Sequence, residues 1–312
     1  MLYRSTRNKL DSFTAYRALR INNAADGGFI LPLRIPVIEN AKLEEMQNAD
    51  FLQNVADLLN IFFSTAFTAW DIESTIGKTP LQMTQCGQKI VLAQCWKNPT
   101  AKMEYFLQSL FNRVCSDKGI PPTVWARVAI RIALIAATVL HCSELVDIAV
   151  NAEDFEQFLG AYYCRKMGFP VRKILIACNE NSNIWDFVYR GSIHCSASLK
   201  NTTYPNQDKV IPDLFEAYLF LAYGYAETQR FLEKAAQKQD YQLPEEMGVP
   251  ASDDLFVSVI GQERIPTVMS SFHSNNGITV NPYTAFSLGA LQDYRAKAGE
   301  RTLTVVFEEA AP

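Results

Sequence analysis

Between Leu145 and Cys178 the chain writes out one supersecondary unit, and this segment limits the possible folds more than any other. Leu145 to Val150 is a mostly apolar run of strand length. Phe155, Phe158, Leu159, Tyr162 and Tyr163 then recur at helical spacing, Gly168 and Pro170 stop that helix, and Val171 to Cys178 forms a second strand-like run. Two strands joined by a helix-length crossover lie parallel, since a hairpin would need only a short turn, and the crossover is right-handed. Further strands are expected at Leu255 to Ile260 and Leu303 to Phe307, with helices at Leu214 to Gln237 and Tyr283 to Lys297. The alternation predicts an α/β fold with a parallel-rich sheet flanked by helices.

The first third reads differently. Leu43, Met46, Leu52, Val55, Leu58, Leu59 and Phe62 predict one amphipathic helix from about Ala41. Past Gly77 and Pro80, a short strand is expected at Lys89 to Ala93, a turn at Lys97 to Thr100, and a helix turning Tyr105, Phe106, Leu110 and Phe111 inward. Trp125 to Leu140 reads as a buried helix, because Arg127 and Arg131 interrupt it and its charge-free part falls short of the roughly 20 residues that span a bilayer. A length of 312 residues allows two lobes with real cores. The polar stretch from Lys238 to Pro250, with two prolines, reads as a surface connection.

Charge and composition exclude several function classes. The net charge of −4 gives no basic excess to neutralise a phosphate backbone, so nucleic acid is not an expected partner. The opening MLYRSTRNKL has no apolar core of a secretory signal, and a cytoplasmic protein with no membrane partner is expected. Seven cysteines without a C-x-x-C pair read as buried free thiols. Only three histidines occur, His141, His194 and His273, and neither a metal site nor a nucleophile elbow is predicted from them.

Six collinear motifs suggest a family. Ser5-Thr6-Arg7 followed by Ala25-Asp26-Gly27-Gly28-Phe29 and Leu31-Pro32 resembles the opening of threonine synthases, STRG leading into DGGLYVP. Trp125-Ala126-Arg127 is similar to that family's N-W-A-R, and Leu159 to Gly168 to its LAGYYAKRMG helix. Pro170 to Asn179 resembles its P-x-x-x-I-I-V-A-T-N strand, Pro205 to Asp208 its PSMD, and Asn281 to Ala285 its DPHTA. The resemblance implies the fold-type II, tryptophan synthase beta-like architecture of pyridoxal phosphate enzymes. It also implies descent from an activity that converts O-phosphohomoserine and water to threonine and phosphate. A lobe over residues 1–117 and a larger α/β lobe over 118–312 are expected, with the cofactor-site framework in the second.

The same resemblance locates departures at the chemical positions. Aligning Leu107-Gln108 with the family's lysine-bearing segment puts Met103 where the Schiff-base lysine belongs, and a thioether forms no imine. Lys102 is one residue earlier and would serve only if the helix turned by about 100°. Where the family has a G-N-F-G-N phosphate loop, this chain reads Glu153-Asp154-Phe155-Glu156-Gln157. Carboxylates there suit a helix start but not an anion: one placed about 5 Å from a phosphate charge costs about 3 kcal/mol at an effective dielectric near 20. Glu309 stands where the family's Ser or Thr faces the pyridine nitrogen. Between Asp117 and Pro121 only Lys118, Gly119 and Ile120 replace a mobile substrate subdomain.

The expected protein is therefore a catalytically degenerate, threonine synthase-like member of amino-acid metabolism, kept for binding or assembly. No cofactor is expected, and Glu153, Asp154, Phe155, Glu156, Gln157 and Glu309 are read as a vestigial cofactor site. Loss of the subdomain predicts an apolar scar near residues 115 to 130 that serves a homo-oligomer or protein partner. The alternative is a working pyridoxal phosphate lyase of threonine synthase type using Lys102.

Overall fold

The computed structural model describes residues 1–79, 81–97, 106, 108–110, 112, 123–251, 255–299, 301–308 and 310. The chain folds into two compact units, each assembled from separated stretches: the first from residues 1–82, 94–145 and 159–171, the second from 83–93, 146–158 and 172–312. The sequence suggests one cut after residue 117; the chain instead passes between the units several times.

In the first unit, β1 (Leu2–Ser5) lies between β2 (Ser12–Thr14) and β3 (Ile30–Pro32) in an antiparallel sheet. Helices α1 (Ala15–Ala18), α2 (Asn40–Asn48), α3 (Phe51–Phe63), α4 (Ala69–Ile76) and α5 (Val124–His141) accompany it. The single helix expected from about Ala41 is two helices, α2 and α3. Ala49 is extended, and the Asp50 carboxylate accepts the Leu52 N–H at 2.8 Å, an N-cap that starts α3 afresh. The cap outcompetes a continuous apolar stripe. Helix α5 is long and apolar enough to cross a membrane, yet 83% of it is buried inside the protein, as expected of a core helix. Its anchor is Trp125, which packs on Tyr3, Phe62 and Tyr163 with ring centroids 5.5, 5.3 and 5.8 Å away. The Tyr3 hydroxyl donates to the Phe62 carbonyl, tying β1 to the end of α3.

The family-like opening has a mechanical explanation. Ser5 Oγ donates to the Asp26 carboxylate at 2.8 Å, which also accepts the Gly28 N–H at 2.8 Å, and Thr6 Oγ1 accepts the Phe29 N–H at 2.9 Å. Gly27 has φ +80°, and a Cβ on Gly28 would stand 2.3 Å from Ser5 Oγ. Only glycine leaves room for the Ser5, Thr6 and Arg7 side chains here.

The second unit is built on a six-stranded sheet. After β4 (Gln82–Cys86) and β5 (Ile90–Gln94) come β6 (Val146–Asn151), helix α6 (Phe155–Met167), whose residues from 159 on belong to the first unit, β7 (Val171–Cys178), helix α7 (Ile184–Arg190), and a short antiparallel pair, β8 (Ser192–Ile193) with β9 (Tyr241–Gln242). Helix α8 (Phe215–Ala236) precedes that pair's second strand, and β10 (Leu255–Val259), α9 (Ile265–Asn276), α10 (Pro282–Ala298) and β11 (Thr304–Glu308) close the chain. The order across the sheet is β10-β7-β6-β11-β5-β4. Strand β10 runs parallel to β7, and β11 parallel to β6. Strands β6 and β7 run the same way too. Arg172 at the start of β7 grips Asp147 at the start of β6 at 2.7 Å, and the Ala152 N–H just past β6 reaches the Ala177 carbonyl near the end of β7 at 2.8 Å. The parallel pair expected from the crossover is present.

Leu92, Leu175, Ile260, Val268, Phe286 and Val306 form the centre of this unit's core. Gly289 of α10 approaches Ile260 so closely that a Cβ would lie 3.3 Å from it. Helix α8 is interrupted at Gly224, whose φ of 81° and ψ of −174° break the helical run. Strand β4 and helices α7 and α9 do not figure in the sequence reading. All six described cysteines are free thiols, and burial pushes Cys178 up to about 12, which keeps it protonated and inert.

Candidate functional site

In a parallel α/β sheet the crevice beyond the carboxyl ends of the strands is the ordinary place for a ligand. Here β6 ends in Asn151, β7 in Cys178 followed by Asn179, and β11 in Glu308. Side chains from these ends, from the loop after β8 and from the start of α10 meet in a polar network.

Asn151 is a hub. Its Nδ2 donates to the Tyr283 carbonyl at 3.1 Å, and its Oδ1 accepts from Gln207 Nε2 at 2.6 Å and from the Glu153 N–H at 3.2 Å. Beside it, the Asp208 carboxylate receives Asn179 Nδ2 at 2.8 Å, Asn181 Nδ2 at 2.7 Å, Thr202 Oγ1 at 2.9 Å and the Thr202 N–H at 2.8 Å. Desolvation works to raise the Asp208 pKa, but these donors together outweigh it and hold the carboxyl below its usual range. The carboxylate is thus a fixed anion whose acceptor capacity is turned inward.

At the end of β11, the buried Glu308 accepts the Asn281 N–H at 3.0 Å. Asn281 in turn caps α10, its Oδ1 accepting the Thr284 N–H at 2.8 Å while its Nδ2 reaches the Ala310 carbonyl at 2.7 Å. The Asn281 to Ala285 segment therefore works as a helix cap clamped to the last strand.

The acidic start of α6 lies on the same edge. Asp154 occupies the N-cap position: its carboxylate accepts the Gln157 N–H at 3.1 Å, and the Asp154 N–H is held by the Asn151 carbonyl at 3.1 Å. Phe155 and Gln157 are buried; Glu153, Asp154 and Glu156 are half-buried. Desolvation and the nearby Glu153 carboxylate both push up the Tyr283 hydroxyl, with Asp208 adding to the effect. Glu153 is therefore near enough to Tyr283 for its charge to act on the hydroxyl.

The start of α6 is capped from within the chain. The N–H groups of Glu153, Asp154 and Gln157 are taken up by Asn151 and Asp154, and the surrounding side chains bring negative charge where an anion needs donors. Met103, Lys102 and Glu309 lie outside the described residues, so the structure brings only residues 153–157 of the expected site to this edge. Of the stretch expected to carry an apolar scar, 123–130 is described and buried apart from half-buried Arg127, so no exposed patch lies on those residues. No group of three or more metal-ligating side chains occurs among the described residues.

Sequence reasoning missed Asn151, Asn179, Asn181, Gln207 and Asp208 as a cluster. Asn179, Gln207 and Asp208 lie inside the family-like motifs at 170–179 and 205–208, which was the available signal; their partners, 27 to 56 residues apart, were not.

Comparison with known proteins follows the same line. Residues 2–79 match the family model for the threonine synthase N terminus. The chain is similar to threonine synthase of Eremothecium gossypii, 24% identical over 157 residues, which is 46% of this chain and 31% of that protein. Against threonine synthase of Saccharomyces cerevisiae the identity is 25% over 203 residues, 58% of this chain and 39% of the relative. Human threonine synthase-like 1 is 22% identical over 168 residues, 53% of this chain and 22% of its own length. The matched stretches thus span well under half of these relatives. Among solved structures, pyridoxal phosphate-bound threonine synthase from Brucella melitensis superposes with TM-score 0.84 at 16% identity, covering 100% of this chain and 89% of that one. The yeast enzyme superposes with TM-score 0.83 at 17% identity, over 99% and 87%. The chain is similar to threonine synthases and has their fold.

Proposed function

We propose that this threonine synthase-like chain is a non-catalytic member of its fold, retained for binding or assembly, and that it does not hold pyridoxal phosphate. The observation that carries the reading is the start of α6, where Asp154 caps the helix with its own carboxylate and Glu153 and Glu156 flank it. A phosphate would have to displace an internal cap and then sit among like charges. The inward-turned Asp208 network supports the same reading, since its donors are already spent on the Asp208 carboxylate. An assembly role would mean self-association or a protein partner, in the cytoplasm, and the buried residues 123–130 would not form its surface.

The competing reading is a pyridoxal phosphate lyase of threonine synthase type using Lys102, favoured by the names of the relatives and by the bound cofactor of the Brucella neighbour. One titration decides between them. Pyridoxal phosphate is added to the purified chain, absorbance and calorimetric heat are followed, and the mixture is reduced with borohydride and digested. No saturable binding and no pyridoxyl-lysine peptide are expected. Saturation at micromolar concentration with a modified Lys102 establishes the lyase instead.

A further inference from the structure

Opposite the carboxyl edge, at the end of the sheet where the strands begin, the second unit has a cleft of about 440 Å³. Its floor is apolar, made by Ile90, Phe272, Leu288 and Leu291, and its rim carries Arg295 and Arg301. Helix α10 fixes its position: the helix begins at the Asn281 cap beside Glu308, and its last turn brings Arg295 to the first residues of β11. Its 17 residues put roughly 25 Å between this cleft and the carboxyl-edge network. The two are separate sites.

The rim is charged beyond what the fold needs. Arg295 Nη2 donates to the Lys89 carbonyl at 3.1 Å, the Thr302 carbonyl at 3.2 Å and Thr304 Oγ1 at 3.4 Å, none of them a carboxylate. Arg301 is exposed and makes no ion pair among the described residues. Asp147, the acidic group that also acts on Arg295, is already committed to Arg172 through a bidentate pair at 2.9 and 2.7 Å. The carboxyl ends of α9 and α10 contribute partial negative charge here, about half a unit per helix, which two whole guanidinium charges exceed. Desolvation and the repulsion of Arg301 both lower the Arg295 pKa, so an anion between the two would relieve a like-charge contact.

Volume, floor and rim define one kind of ligand. Clefts of some 300 to 1,000 Å³ with apolar walls and a few convergent polar groups hold small organic molecules. We infer that this cleft binds a small organic oxyanion, its apolar body on Ile90, Phe272, Leu288 and Leu291 and its anionic head between Arg295 and Arg301. Asn276 holds one wall in place, accepting the Gly87 N–H at 2.8 Å through Oδ1 and donating to the Phe272 carbonyl at 3.0 Å. The cleft is therefore formed before a ligand arrives.

The test uses three probes of one shape: 1-naphthoate, 1-naphthyl phosphate and the neutral 1-naphthalenemethanol, titrated into the full chain and followed by calorimetry and fluorescence. At least one anion is expected to bind saturably, about tenfold or more tighter than the alcohol, since a charge-assisted bond contributes on that scale. Which anion wins tells a carboxylate ligand from a phosphate ester. Two substitutions at exposed positions leave the core intact. Arg301→Ala should weaken the anion about tenfold without changing the alcohol, and Ser271→Trp, on the cleft wall, should abolish binding of all three. Equal affinity for alcohol and anions, no saturation of either anion by about 5 mM, or binding untouched by Ser271→Trp overturns the inference. Binding that survives Ser271→Trp would place the probe elsewhere.

Discussion

Two corners of this molecule carry family-like sequence, and they have fared in opposite ways. At Ser5 to Gly28 the motif residues bind one another: a serine and an aspartate close a turn that only glycine can enter. At Asn151 to Gln157 glutamates stand where the resemblance leads one to expect glycines, and the turn is closed by an asparagine and an aspartate of its own. A motif whose partners are other residues of the chain is held by folding itself. On the non-catalytic reading proposed above, one whose partner would be a ligand is free to change toward whatever satisfies the backbone locally. The comparison separates kinship in framework from kinship in chemistry.

The largest effect that would test this contrast is Trp125→Ala. Removing a fully buried indole from contact with Tyr3, Phe62 and Tyr163 should cost about 3 to 5 kcal/mol in urea unfolding, enough to threaten folding at all. Next comes Gly28→Ala, whose Cβ meets Ser5 Oγ, Arg7 Cγ and Thr6 Oγ1 at 2.3, 2.9 and 2.9 Å; a loss of about 1 to 3 kcal/mol is expected. A cost near zero would mean that the opening motif is not held by packing. Asp154→Ala should cost about 1 kcal/mol in the same assay, as loss of an N-cap does. If it instead stabilised the chain, the acidic helix start would be serving something other than the helix. Met103→Lys should give no visible absorption band with pyridoxal phosphate, because the carboxylates at the start of α6 remain.

The smallest effect concerns acid. Asp208 and Asp293 both titrate below the usual carboxylate range in the folded chain. Desolvation opposes the shift in each, and it is outweighed by the donors around Asp208 and by Arg264 and Ser258 around Asp293. A depressed folded pKa stabilises the native state above the unfolded value, near 4, and that contribution is lost as pH falls through the folded value. Melting temperature should therefore decline below about pH 4, and Asp293→Asn should flatten the decline measured by circular dichroism.

How much of this was legible beforehand depends on the distance over which each signal acts. Strands β6 and β7 could be read from their own residues, because burial on both faces leaves a continuous apolar run with clear stops. The break between α2 and α3 was hidden, since Asp50 lies inside a stripe that keeps helical period across it. Helix α9 starts at Ile265-Pro266 with no side-chain cap, and the first-turn proline was the one start signal, which the sequence reading passed over. For the candidate site, the acidic helix start was visible as a local pattern. The Asp208 network was not, because its members come from loops that only the folded sheet brings together.

Gly224 has a consequence of its own. Its backbone adopts a conformation that other residues rarely take, although nothing within 4 Å would obstruct a side chain there, so the constraint is torsional rather than steric. Thr228 Oγ1 donates to the Gly224 carbonyl at 2.9 Å. Helical dihedrals do not run through this point, and cooperativity along a helix depends on consecutive residues holding them. The two halves of α8 should then open independently in hydrogen exchange, the half carrying the buried Phe215 and Tyr218 exchanging more slowly than the half that ends at Ala236.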